Sequence, residues 1–181
     1  MCKFRDLNAD EIEVRVQSVK QNGVILLLYK NARCDMNILD ETVGAANWQR
    51  EHYECKGNLF CRVGINVNFD KPDKPERYIW KSDCGVESNT EAQKGEASDS
   101  FKRACFNWGI GRELYTSPFI WVKAEDVNMQ NGKCFDRFAV EKIRIENKRI
   151  TGLSIRNLTA NKRCFVFAEQ KENPHETGVS V

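Results

Sequence analysis

TEAQKGEASDSFKRACFNWGIGRELYTSPFIWV, residues 90–122, is the stretch whose reading decides the fold. Thr90 and Gln93 have the spacing of a capping box, in which each side chain satisfies a backbone N–H at a helix start. Ala97, Phe101, Ala104, Cys105 and Trp108 recur at helical spacing and form one apolar stripe. Gly109 suits the C-terminal stop, because glycine takes the left-handed conformation without a Cβ penalty. The spacing therefore predicts a helix over 90–108, then a glycine-rich return and a short strand at Phe119–Val122. Lys102 and Arg103 flank the stripe. Neighbouring cations there can hold a polyanion such as a nucleic-acid backbone, or can simply be a solvated helix flank.

Upstream, Trp48–Cys55 reads as a strand and Lys56-Gly57-Asn58 as a hairpin turn. Leu59, Cys61, Val63, Ile65, Val67 and Phe69 then alternate with Phe60, Arg62, Gly64, Asn66 and Asn68, the clearest strand period in the chain. The polar face of that strand, with Arg62, is either wet or lines a groove. DKPDKPE, residues 70–76, is a proline-stiffened loop carrying Lys71 and Lys74, followed by Arg77. It reads as a solubilising hairpin tip or as a basic arm. Tyr78, Trp80 and Lys81 make a third strand, which Asp83-Cys84-Gly85 closes. An antiparallel meander followed by one main helix is an α+β pattern, a β-β-β-α core.

Residues 1–10 read as a polar lead-in. Ile12, Val14 and Val16 alternate, Gln21-Asn22-Gly23 is turn chemistry, and Val24–Tyr29 is an unbroken apolar run, so an N-terminal hairpin is expected. Met36, Leu39 and Val43 mark a short helix over about 33–43 with Arg33 in its first turn. After the main helix, residues 124–134 read as a loop with an Asn131-Gly132 turn. Residues 138–155 frame a C-terminal hairpin turning at Asn147-Lys148-Arg149. Cys164–Phe167 is a last strand. Residues 1–168 are expected to form a single domain and residues 169–181, poor in apolar side chains, a flexible tail.

The composition excludes more than it selects. The 181 residues carry a net charge of only +2, so a nucleic-acid binder of this kind must concentrate its cations in one groove. The eight cysteines are scattered without a C-x-x-C pair and no histidine neighbours them, so no zinc site is expected. Early charges interrupt any signal-peptide core and no apolar run is long enough for a membrane span, which predicts a cytoplasmic protein with reduced thiols. No G-x-x-x-x-G-K-[ST] occurs, which argues against an ATP-driven recombinase, and no nucleophile constellation or cofactor motif is present. Asp83, Glu87, Glu91 and Glu96 could be imagined as nuclease metal ligands. Their spacing fits no strand-borne carboxylate cluster, and acids near a helix start suit the helix dipole alone.

KGEASDSFKRACFNWGIGRELY resembles the signature of the Rad-fifty-two superfamily of single-strand annealing proteins, most nearly its short phage members of the Sak type. The family pattern is a helix rich in small residues, then Lys-Arg-Ala, an aromatic, Gly-x-Gly and a tyrosine. Ala97, Ser98, Ser100, Lys102, Arg103, Ala104, Trp108, Gly109, Gly111 and Tyr115 occupy those positions here. The upstream helix, the Trp-led hairpin and the strand ending in Asp83-Cys84-Gly85 fit the family core, so the likeness covers roughly residues 24–122. The resemblance implies ATP-independent binding of single-stranded DNA and annealing of complementary strands in phage-type recombination. It also implies a homo-oligomeric ring in a bacterial host cell, without a cofactor or bound metal. A phage exonuclease or a single-strand-binding protein is the further partner class it suggests.

The DNA-binding candidates are Lys102 and Arg103 on the main helix, Arg33 at the first helix and Arg62 on the sheet, followed by Lys71, Lys74, Lys81 and Arg112. Arg33 lies within about one position of where the resemblance places a basic residue at the bound strand, or is simply an exposed arginine on a helix. Arg112 could instead pair with Glu113 or a neighbouring subunit. The alternative from another class is a metal-dependent DNA-processing nuclease or its accessory domain.

Overall fold

A computed structural model describes residues 3–86 and 92–169, with residues 92–94 as backbone only. Among the described residues, two larger sheets and two α-helices enclose one core. Strands β1 (Glu13–Lys20) and β2 (Gly23–Tyr29) form the N-terminal hairpin, and α1 (Ala32–Val43) follows. Strands β3 (Trp48–Cys55), β4 (Asn58–Asn66) and β5 (Tyr78–Cys84) form the meander, and α2 (Ala92–Trp108) follows it. Then come β6 (Ile120–Lys123), the two-residue strands β7 (Met129–Gln130) and β8 (Lys133–Cys134), and β9 (Phe138–Glu146), β10 (Arg149–Asn157) and β11 (Lys162–Ala168).

The α+β fold and its β-β-β-α core are those the sequence predicts. The meander is a three-stranded antiparallel sheet in the order β3-β4-β5, and α2 packs on β4 and β5. Lys56 and Gly57 turn the first hairpin with φ of 54° and 75°, the geometry whose twist matches the flanking strands. Cys61, Val63 and Ile65 are fully buried beneath α2, as are Phe101, Ala104 and Cys105 of the helical stripe. At Gly85 a Cβ would lie 2.2 Å from the Glu96 carbonyl oxygen, so only glycine lets the end of β5 touch the helix backbone. Gly109 (φ +101°) ends α2 as expected, whereas the Thr90–Gln93 box lies outside the described residues.

The second sheet joins distant parts of the chain in the antiparallel order β11-β10-β9-β1-β2-β6. The N-terminal hairpin is central, the C-terminal hairpin extends it past β1, and the strand after α2 extends it past β2. Val24, Leu26 and Leu28 of β2 and Ile150, Leu153 and Ile155 of β10 are buried in the same core as the meander residues. Asn31 caps α1 by accepting from the Cys34 N–H at 3.1 Å, and Gly44 ends it with φ +84°.

Four expectations need correction. The polar lead-in is part of the fold: Phe4 and Leu7 are buried, and the Leu7 N–H donates to the buried Glu113 carboxylate at 2.7 Å. Residues 124–134 are not simply a loop, because β7 and β8 pair across the Asn131-Gly132 turn. The best strand of the meander stops at Asn66, whose side-chain oxygen accepts from the Asn68 and Arg77 N–H groups at 3.1 and 3.0 Å and starts the hairpin tip early. Glu169, placed with the tail by composition, accepts from Arg149 at 2.6 Å; residues 170–181 lie outside the described residues.

Candidate nucleic-acid interface

A groove follows α2, with β1, the end of β2 and the first turn of α1 facing it. Its cations come from four elements. Lys102 and Arg103 belong to α2, Arg15 to β1, Arg33 to α1 and Arg50 to β3. The groove has two hollows. Arg15, Lys102 and Arg103 line one, and Arg33 and Arg50 line the other with Ala97 and Ser98 of the same helix. The sequence explains this placement. The apolar stripe fixes one side of α2 on the meander, so the residues beside the stripe face the N-terminal hairpin. Strand alternation turns Arg15 outward while Ile12, Leu26 and Leu28 point into the core.

Among the described residues, Lys102, Arg33, Arg15 and Arg50 make no ion pair and no side-chain hydrogen bond. Arg15 lies 5.5 Å from the Tyr29 ring centroid and Arg50 lies 4.8 Å from that of Phe101, contacts that hold a guanidinium without neutralising it. Arg103 differs, because its Nε is 3.3 Å from Asp83 Oδ1 of the Asp-Cys-Gly strand end. That buried Nε has no aligned hydrogen-bond acceptor, so the guanidinium is charge-compensated but its donor is unsatisfied. Two acids stand in the linings, Glu13 in the hollow of Arg33 and Arg50 and Asp99 in the hollow of Arg15, Lys102 and Arg103. For Glu13 the neighbours set the charge. Tyr29 and Asn31 hold its carboxyl below the ordinary range, and Lys102 adds a weaker pull. Burial pushes the Asp35 carboxyl behind the groove up to about 6, against the opposing pull of the Lys30 ammonium bonded to it.

The other candidates lie elsewhere. Arg62 is on the far face of the meander, ion-paired to Glu51 at 2.7 Å and 4.6 Å from the Trp80 ring centroid. Lys71 and Lys74 are exposed at the hairpin tip, with Lys71 Nζ 4.0 Å from Asp70. Lys81 donates to the Asn107 carbonyl at 2.8 Å, and Arg112 donates to the Phe106 and Asn107 carbonyls at 2.9 and 3.0 Å. Both side chains cap the C-terminal carbonyls of α2 and complement the negative end of its dipole. Arg112 therefore pairs with helix carbonyls, while Glu113 turns inward.

Sequence reasoning missed Arg15 and Arg50. Arg15 is an outward strand position, and Arg50 lies opposite the buried Val63 on the face of β3 turned to α2, so only the approach of the helix makes them groove residues. The imagined nuclease acids do not assemble among the described residues. Asp83 faces Arg103, Glu96 accepts from the Leu59 N–H at 3.0 Å, and Glu87 and Glu91 lie outside the described residues. No group of three or more His, Cys, Asp or Glu side chains suited to a metal ion occurs among the described residues, and no described helix is long and apolar enough to cross a membrane.

The described geometry is a meander under a Lys-Arg helix, with hollows along that helix lined by cations. The model of the Rad52/22 family of double-strand break repair proteins matches residues 4–133, and the chain belongs to that family. Comparisons with curated proteins and with solved structures give no significant match.

Proposed function

We propose that this protein binds single-stranded DNA without sequence preference and anneals complementary strands without ATP, as a homo-oligomeric ring in phage-type homologous recombination. The observation that carries the reading is that Lys102 and Arg15 line one hollow along α2 and Arg33 and Arg50 the next, and none of the four is ion-paired to a described carboxylate, although Glu13 and Asp99 stand in the linings. Such a groove tracks a phosphodiester backbone, and its cations offset the repulsion between two strands brought together for pairing. Arg103 joins them by exchanging Asp83 for phosphate. Lys71 and Lys74 are the second tier, while Lys81 and Arg112 act by fixing the end of α2. Oligomerisation is supported by β3, which pairs with β4 along one edge and leaves its other edge without a strand partner among the described residues, a template for a neighbouring chain.

The test is annealing of two complementary oligonucleotides with EDTA present and ATP absent. The wild type should accelerate annealing, and a folded, oligomeric Lys102→Ala/Arg103→Ala variant should lose the acceleration. Lys102→Ala alone should flatten the salt dependence of single-strand binding, lowering the log–log slope by about 0.7 for each phosphate no longer neutralised. A wild type without annealing activity would overturn the proposal, and magnesium-dependent cleavage would put a nuclease in its place.

A further inference from the structure

The Lys102 end of the groove opens into a cleft of about 670 Å³. Its character differs from the rest of the groove. The floor is the outward face of β2, Leu27 and Tyr29, with Arg15 paired opposite Leu27 in the register of β1. One wall is Phe106, packed against Tyr115 with ring centroids 4.3 Å apart, and Phe119 stands nearby on the same lining. Tyr115 and Phe119, on the return between α2 and β6, are each 69% exposed. Large aromatic faces left in water beside cations form an unfilled stacking surface. A nucleobase matches it, because every base offers a π-face and its own phosphate falls within reach of the cations at the rim.

We propose that this cleft takes a nucleobase from the bound strand, stacked on Phe119 and Tyr115, with Arg15 and Lys102 holding the phosphate at its rim. One base per subunit is then turned into the protein and withdrawn from pairing. The inference rests on the single-strand reading above and adds a base site to it. Stacking recognises no base edge, so the strand remains bound without sequence preference.

The experiment compares binding of the full chain to an oligothymidylate and to an abasic oligonucleotide of the same length, at one salt concentration. Wild type, Phe119→Ala and Phe119→Trp are measured alongside their oligomer size. Phe119→Ala should weaken oligothymidylate binding about tenfold, the loss of one base–aromatic stack. It should leave abasic binding and oligomer size unchanged, and Phe119→Trp should restore the affinity. Equal loss on both oligonucleotides, or no loss, overturns the base site. A loss accompanied by a smaller oligomer also overturns it, because the cleft is then filled by a second copy of this chain. A wild type that binds neither oligonucleotide removes the single-strand reading itself, whereas one that binds both, indifferent to Phe119, removes only the base site.

Discussion

Gly111 shows how much a single position can carry. Its backbone is left-handed, with φ +72°, and a Cβ there would lie 2.3 Å from Cε of the buried Lys30. Conformational strain and overpacking therefore act together, and Gly111→Ala should cost about 2 kcal/mol or more. Gly109, with φ +101°, has nothing within 4 Å of its Cβ position, so Gly109→Ala should cost only the conformational part, about 1 kcal/mol. Urea unfolding of the two variants measures the difference; equal losses would show that Lys30 gives way. From sequence both glycines look alike, as the two ends of a Gly-x-Gly. Only the arrival of Lys30 from the end of β2 separates them. The same holds for the groove cations. Lys102 was legible beside its stripe, but the partner of Arg103 was not, because Asp83 belongs to another element.

Between elements, the pair of Lys30 and Asp35 ties the end of β2 to the first turn of α1 and presses on the Gly-x-Gly return. Both side chains are almost wholly buried. Removing one partner leaves the other without compensation in a low-dielectric site. Asp35→Ala should therefore destabilise the protein by about 3–5 kcal/mol, whereas Lys30→Met with Asp35→Leu should recover most of that loss. A double-mutant cycle by urea unfolding at neutral pH checks this; additive single losses would mean the pair is not coupled. The helices were the most legible elements, since α2 follows its stripe and α1 the spacing of Met36, Leu39 and Val43. The capping of α2 by Lys81 and Arg112 was not legible, because both reach its last carbonyls from outside the helix.

At the scale of the molecule, the lead-in is bound to the fold by charge as well as by Phe4 and Leu7. Arg5 makes a two-pronged contact to Glu11, both bonds 2.7 Å, and a third bond to Glu41 of α1 at 2.7 Å. The Arg5 guanidinium bonded to it holds the Glu11 carboxyl below its ordinary range, against the opposing effect of burial. A depressed carboxylate stabilises the fold above that range and loses the contribution as the pH falls through it. The urea midpoint should thus decline as the pH falls below the ordinary glutamate range, and Glu11→Gln should flatten that decline. An unchanged pH profile in the variant would show that the lead-in is held by its apolar side chains alone.

The sequence by itself determined the meander, both helices, both long hairpins and the Lys-Arg flank. These depend on local periodicity, turn chemistry and caps, which act over a few residues. It also carried the family likeness, because that signature is one continuous run. Only the tertiary structure decided that β9 pairs with β1 and β6 with β2, that the lead-in packs in the core, and that Arg15, Arg33, Arg50 and Lys102 face one groove. Pairing between strands far apart in the chain depends on complementary edges and shared burial, and neither leaves a periodic trace in the residues on one side of the contact.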